Sequence, residues 1–266
     1  MGPGREYHFN LQVSKKNRAA FPERYGKKGQ ASRAVLEGRI RSAFEPLGGS
    51  IQTLSIGRKT IDMVWKSDAG QASLLAQISV LLSGGKPADG ILLLELFLSA
   101  QPQDPALLYA LGNAYSDQNE LERAIELFSN LLEIAPGHTN ARVGKGAALL
   151  KAGNVQAGIK ELEIAIRQDP ENLWAHRNLG AGLMLLNHYS EAAANLRLAR
   201  ELDPQDQQAW FDYGKALEKM GEYEQASMAY SKVIEIDEFS VVADQARARR
   251  TELAGKPSHI DPPAGN

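Results

Sequence analysis

The chain contains no cysteine at all. That absence removes disulfides, thiolate metal sites and a cysteine nucleophile from consideration. Long apolar runs are also missing. The stretch around residues 91–98 is interrupted by Glu95 and falls short of the roughly 18 residues needed to cross a bilayer. The opening residues, Met-Gly-Pro-Gly-Arg-Glu-Tyr, lack the basic-then-apolar pattern of a secretory signal, so the expected compartment is cytoplasmic, without membrane insertion. Histidines are few and scattered (His8, His138, His176, His188 and His259), and no His-Glu-x-x-His helix, phosphate loop, dinucleotide fingerprint or nucleophile elbow occurs. The sequence therefore points to a non-enzyme that needs no metal or other cofactor.

What remains has the composition of a globular chain, with 43% apolar and 23% charged residues. The formal charge of −2 hides an asymmetry. Residues 1–70 carry thirteen Lys or Arg against six acidic residues, whereas residues 71–266 carry seventeen against twenty-six. Such a split suits separate partners for the two parts, or attraction between the basic part of one copy and the acidic part of another.

In the first seventy residues, Tyr7, Phe9, Leu11 and Val13 alternate with polar neighbours, the period of a half-buried strand. Val35, Leu36, Ile40, Ala43, Phe44 and Leu47 recur at helical spacing before Gly48-Gly49 stops the pattern. Residues 51–56 and 60–66 are β-prone and joined through Gly57-Arg58-Lys59, which predicts a hairpin. The expected domain is a small basic β-α-β-β unit whose helix covers one sheet face, with Ile61, Met63 and Trp65 turned toward it. If its first two strands are neighbours, their crossover is right-handed. A loop between the first strand and the helix carries Lys15, Lys16, Arg18, Arg24, Lys27 and Lys28, with Phe21 and Tyr25 among them. Cations with interleaved rings suit phosphate contacts and base stacking. A solvated loop, or one docked on the chain's own acidic part, accounts for the same residues.

From residue 105 to residue 240 a 34-residue unit occurs four times. Its first copy reads Leu108-x2-Leu111-Gly112-x2-Tyr115, Ala124-x3-Phe128, then Pro136; Gly112 recurs as Gly146, Gly180 and Gly214, and Pro136 as Pro170 and Pro204. Each unit fits two antiparallel helices. Small residues at its eighth and twentieth positions let the pair approach closely, and the proline sets the turn into the next unit. The same register upstream places Leu74, Leu81, Gly90, Leu94, Phe97 and Pro102 in a divergent unit over residues 71–104. Residues 241–255 begin where a sixth unit would begin and are polar enough to serve as a cap; residues 256–266 form a Pro-rich tail, expected to be flexible.

These motifs resemble the tetratricopeptide repeat family. The resemblance covers about five repeats (71–104, 105–138, 139–172, 173–206 and 207–240) and implies a mainly α fold, a right-handed superhelix of helical hairpins. It further implies a groove lined by the first helix of each repeat, which binds an extended peptide or a helix of another protein. The groove positions carry Tyr109, Asn113, Trp174, Arg177, Phe211 and Lys215, together with Asp117, Asn140, Val143, Lys151, Met184, Gln208 and Lys219. Trp174 and Phe211 beside Arg177 and Lys215 would supply aromatic anchors and cations; packing between neighbouring helices is the competing role for the two rings. The two-carboxylate clamp of the co-chaperone type is not expected, because its positions read Tyr109, Asn113, Gly144, Trp174 and Asn178, of which only Asn113 fits. The function expected is a protein-binding scaffold or adaptor, with a nucleic-acid-associated adaptor and a self-assembling homo-oligomer as alternatives.

Overall fold

The structure is a computed structural model, described here over residues 5–12, 29–56, 60–67 and 71–256. The chain divides into two compact units, residues 1–138 and 139–266. The cations of the basic loop, Lys15, Lys16, Arg18, Arg24, Lys27 and Lys28, lie outside the described residues, as do the hairpin turn at 57–59 and the tail from 257.

The first unit begins with β1 (Arg5–Gln12), α1 (Gly29–Phe44), a short 3-10 turn (Glu45–Leu47), β2 (Ser50–Ile56) and β3 (Thr60–Ser67). The β-α-β-β order and the hairpin match expectation. The strands pair as β1-β3-β2, antiparallel throughout. β1 and β2 are thus not neighbours, and the right-handed crossover between adjacent strands does not arise; β3 completes its hairpin with β2 and offers its other edge to β1. Tyr7 sits opposite Trp65, Phe9 opposite Met63 and Leu11 opposite Ile61, so the alternating apolar residues share one face, and all six are buried. A register shift at Ile51/Thr53 bends β2, whose burial is shallower.

Four helices complete this unit: α2 (Gln71–Ser83), α3 (Pro87–Ala100), α4 (Pro105–Asp117) and α5 (Leu121–Ile134). Two helices cover the sheet, not α1 alone. Phe97 of α3 stands 5.3 Å from both Tyr7 and Phe9 between ring centroids, 5.7 Å from Trp65 and 6.0 Å from Phe44. The pairs with Tyr7, Phe9 and Trp65 are edge-on, an arrangement that adds about 0.5–1.5 kcal/mol each beyond the area buried. The Arg39 guanidinium of α1 meets Asp89 of α3 at 2.9 Å. This dual role explains a sequence that is apolar all round: Ile91, Leu92, Leu93, Leu94, Leu96 and Phe97 are all buried, because α3 faces the sheet on one side and its partner helices on the other. The core therefore runs across residue 70.

The second unit is α6 (Thr139–Lys151), α7 (Val155–Gln168), α8 (Leu173–Leu185), α9 (Tyr189–Leu202), α10 (Gln207–Lys219), α11 (Tyr223–Ile236) and α12 (Val241–Leu253). The hairpins α6/α7, α8/α9 and α10/α11 follow the repeat phase, and α12 starts where a sixth repeat would start. Two local features recur with the same spacing. Within the repeats, residues with left-handed φ fall at Gly85, Asn119, Gly153, Asn187, Gly221 and Gly255, 34 apart and each at the end of a repeat's first helix. Glycine and asparagine tolerate that conformation where other residues do not. The second signal is a side-chain cap on that helix: Asp104, Asn172, Asp206 and Ser240 each accept a backbone N–H of the first turn.

Within each hairpin, the glycine at the eighth position makes room for the large side chain sixteen residues later. A Cβ on Gly112, Gly146, Gly180 or Gly214 would come within 2.7, 2.7, 2.5 or 2.7 Å of Phe128, Leu162, Leu196 or Tyr230 respectively. Those four side chains are fully buried.

Candidate functional site

In the first unit, Tyr109 and Asn113 are four apart on α4 and share a face. Both are half-buried, and the Tyr109 ring packs 5.2 Å from His138 and 6.1 Å from Phe128. Beside them lies a polar network that the repeat pattern did not reveal. The Tyr115 hydroxyl donates to Glu95, the Arg123 guanidinium pairs with the same carboxylate at 3.0 Å, and Arg123 also stands 3.7 Å over the Tyr115 ring. Burial, reinforced by the Glu95 charge, pushes the Tyr115 phenol far above its ordinary range. Three helices are thereby cross-linked by one carboxylate.

In the second unit the groove positions separate into different roles. Trp174, near the start of α8, is 50% exposed. The Arg177 guanidinium stands 4.2 Å over its ring and pairs at 2.8 Å with Asp206, the residue that caps α10. Trp174 is thus braced from behind by a cation that is itself pinned to the next repeat. Phe211 is not presented in this way: it is only 7% exposed, with its ring 5.5 Å from that of Tyr230. Because Gly214 admits the Tyr230 ring next to α10, that ring meets Phe211 and covers it, and packing is the role it fills. Lys215 stands 5.5 Å over Phe211 and pairs with Asp212 at 2.9 Å, so its charge is offset locally. Val143, another groove position, is buried.

Polar groups beneath this surface hold the hairpins in register. The His176 Nε2–H donates to the Pro170 carbonyl at 3.0 Å, while Nδ1 lies 3.0 Å from Asn195 Oδ1. The ring is buried and links α8 to α9 and to the preceding turn. Although burial opposes ionisation of Glu161, hydrogen bonds from Lys145 and Arg142, both within 2.9 Å, hold its carboxyl below the ordinary carboxylate range. Tyr230 donates to Glu218 at 2.9 Å and is displaced upward by burial and by that carboxylate. Glu218 in turn faces Arg249 of α12 at 3.6 Å, which ties the terminal helix to the last full repeat.

Among the described residues no group of His, Asp or Glu side chains is placed to hold a metal ion. No described helix is long and apolar enough to cross a membrane.

Helical hairpins in a 34-residue phase agree with comparison to known proteins. Two tetratricopeptide repeat models match, one over residues 75–139 and the other over 117–179 and 183–249, together more than half of the chain. The chain belongs to the tetratricopeptide repeat family. The match takes in the divergent first repeat from residue 75 onward, whereas neither model reaches the sheet. No curated protein matches the chain. Among solved structures, a thermophilic tetratricopeptide repeat protein of Thermus thermophilus is similar at 20% identity with a TM-score of 0.60, over 70% of this chain and 99% of that one. MamA from Desulfovibrio magneticus, residues 41 to the end, is similar at 23% identity with a TM-score of 0.53, over 65% of this chain and 98% of that one. At these identities the likeness is one of fold.

Sequence reasoning did not single out Arg200, Trp210 and Tyr213. Arg200 of α9 stands 4.4 Å over the Trp210 ring and 4.6 Å over the Tyr213 ring, both of α10. The i,i+3 spacing of the two rings was a usable signal, but it lies outside the positions that the groove pattern samples.

Proposed function

We propose that this tetratricopeptide repeat protein is a non-catalytic scaffold that binds an extended segment or a helix of another protein along the first helices of its repeats. In the second unit, Trp174 is the anchor of that surface, and Arg177 and Asp206 fix its ring in place. The observation carrying this reading is the half-exposed Trp174 indole held against a guanidinium already neutralised by Asp206. A large rigid side chain kept at the surface by its own neighbours loses little conformational entropy on binding, a property shared by interface hot spots. Phe211 contributes by packing α10 against Tyr230 of α11, and Lys215 with Asp212 supplies a polar rim. In the first unit, Tyr109 and Asn113 are the corresponding candidates on α4.

Substituting Trp174→Ala in the full chain and comparing its partners in an extract of the native cells with those of the unsubstituted chain tests the assignment. The side chain is half in solvent, so the fold is expected to survive. Loss of about 2 kcal/mol or more, on the order of 30-fold in affinity, is the expected effect on a groove partner. Every partner retained at full strength by a folded Trp174→Ala protein would remove Trp174 from the binding surface.

A further inference from the structure

A second feature of the second unit lies on the side of α10 turned away from Phe211 and Lys215. Trp210 and Tyr213 are three apart, and at 100° per residue their common direction lies roughly 150° around the helix from that of Phe211 and Lys215. Here α9, α10 and α11 enclose a depression of about 520 Å³, lined by Arg200, Trp210, Tyr213, Met228, Lys232 and Glu235 among others. The Trp210 indole N–H donates to the Pro204 carbonyl at 3.0 Å, which fixes its ring. Arg200 stands over that ring and over Tyr213, and its Nε is buried with no hydrogen-bond partner. Among the described residues no carboxylate pairs with it. Both neighbouring cations of the repeat surface, Arg177 and Lys232, do have one, in Asp206 and Glu235.

The half-buried Arg200 guanidinium has ring faces beside it and no in-plane acceptor, the partner it satisfies best. We propose that this depression binds a carboxylate side chain of a partner protein's peptide. The Asp or Glu meets the terminal nitrogens of Arg200, and an adjoining apolar residue lies on Trp210, Tyr213 and Met228. Met228 is 63% exposed at the rim, an apolar surface with nothing of its own unit covering it. A dianionic phosphate suits the site less well than a carboxylate. Arg200 is the one cation of the lining whose charge is not spent, because Lys232 is neutralised by Glu235, and that carboxylate repels a second negative charge. The site is distinct from the Trp174 surface, so the two are testable separately.

The test uses the full chain labelled at its tryptophan indoles, followed by NMR. Trp174→Phe and Trp210→Phe proteins assign the signals. The probes are a short capped peptide alternating Leu and Asp, the same peptide with Asn in place of Asp, and inorganic phosphate. The expected result is a saturable shift of the Trp210 signal with the Leu-Asp peptide alone. Arg200→Gln should weaken that binding by about tenfold or more, the scale of one lost charge-assisted contact. Met228→Asp, at an exposed rim position that leaves the core intact, should weaken it in the same direction. The proposal is overturned if the Leu-Asn peptide shifts the signal equally, if phosphate alone reproduces the shift, or if both variants bind the Leu-Asp peptide as tightly as the unsubstituted chain. A Trp210 shift that appears on raising protein concentration without any peptide would assign the depression to a second copy of the chain and also overturn it.

Discussion

Gly180→Ala should destabilise the protein, although the same substitution at Gly38 should stabilise it. Both glycines sit inside helices, where replacing glycine by alanine is intrinsically worth about 1 kcal/mol in favour of the helix. At Gly38 a new methyl group meets nothing within 4 Å, so the full intrinsic gain is expected. At Gly180 the methyl would stand 2.5 Å from Leu196 Cγ and 3.1 Å or less from both δ carbons, on a side chain with no solvent exposure. Overpacking of this kind costs about 1–3 kcal/mol, and the nearest atom is the branch carbon rather than the far end of the side chain. The steric cost outweighs the helical gain, leaving a net loss on the order of 1–2 kcal/mol. Denaturant unfolding followed by circular dichroism measures both variants against the parent. The double substitution Gly180→Ala with Leu196→Ala should lose less than the two single losses combined, since removing Leu196 removes the clash. If Gly180→Ala raised the midpoint as Gly38→Ala does, the claim that the eighth-position glycines exist to admit the helix opposite would fail.

Phe97→Ala should cost about 3–5 kcal/mol in the first unit, because it empties the centre of the aromatic cluster. By the same reasoning a fragment of residues 1–70 should not hold a folded sheet, and near-ultraviolet dichroism would show whether it does. Glu161 has its folded pKa depressed, so its contribution is present above the unfolded value near 4.3 and is lost as pH falls through the folded value. Glu161→Gln should therefore lose at most about 1 kcal/mol at neutral pH, the carboxylate being partly solvated. Its stability deficit relative to the parent should vanish during acid titration below about pH 4. Tyr115 and Tyr230 hold their protons in the folded state far beyond the unfolded phenol's pKa near 10. Stability should accordingly fall as pH rises past about 10, and an absorbance titration should show these two phenols ionising only as the chain unfolds.

The repeat phase was legible because it is written in contacts that recur. Gly112, Gly146, Gly180 and Gly214 each face one large side chain, and Gly85, Asn119, Gly153, Asn187, Gly221 and Gly255 each end a first helix with left-handed φ. The strands and the hairpin were legible from alternation, but their order was not, since a period of two says nothing about which edge pairs with which. Phe97 was read as a repeat residue. Its second role in the sheet core was hidden, because a position facing two cores looks the same in sequence as a position facing one. Trp174 and Phe211 shared the groove pattern equally in sequence. They differ in structure because Tyr230 reaches Phe211, while the Trp174 ring, half in solvent, has Arg177 over its face. The Arg200 depression escaped notice because it is assembled from three helices, and because Trp210 and Tyr213 stand at the repeat positions of Leu108 and Leu111, where sequence shows only a packing residue.

The most direct test of the central claim is photocrosslinking from position 174. A photoreactive phenylalanine analogue placed there, in the full chain expressed in its native cells, should yield a discrete crosslinked partner. The same analogue at Val35, an exposed position of α1, should not capture that partner. Capture at 174 alone, mapped to a single peptide of the partner, is the result expected of a groove anchored by this residue. Identical capture from both positions, or none from 174 while the partner still co-purifies, would contradict it.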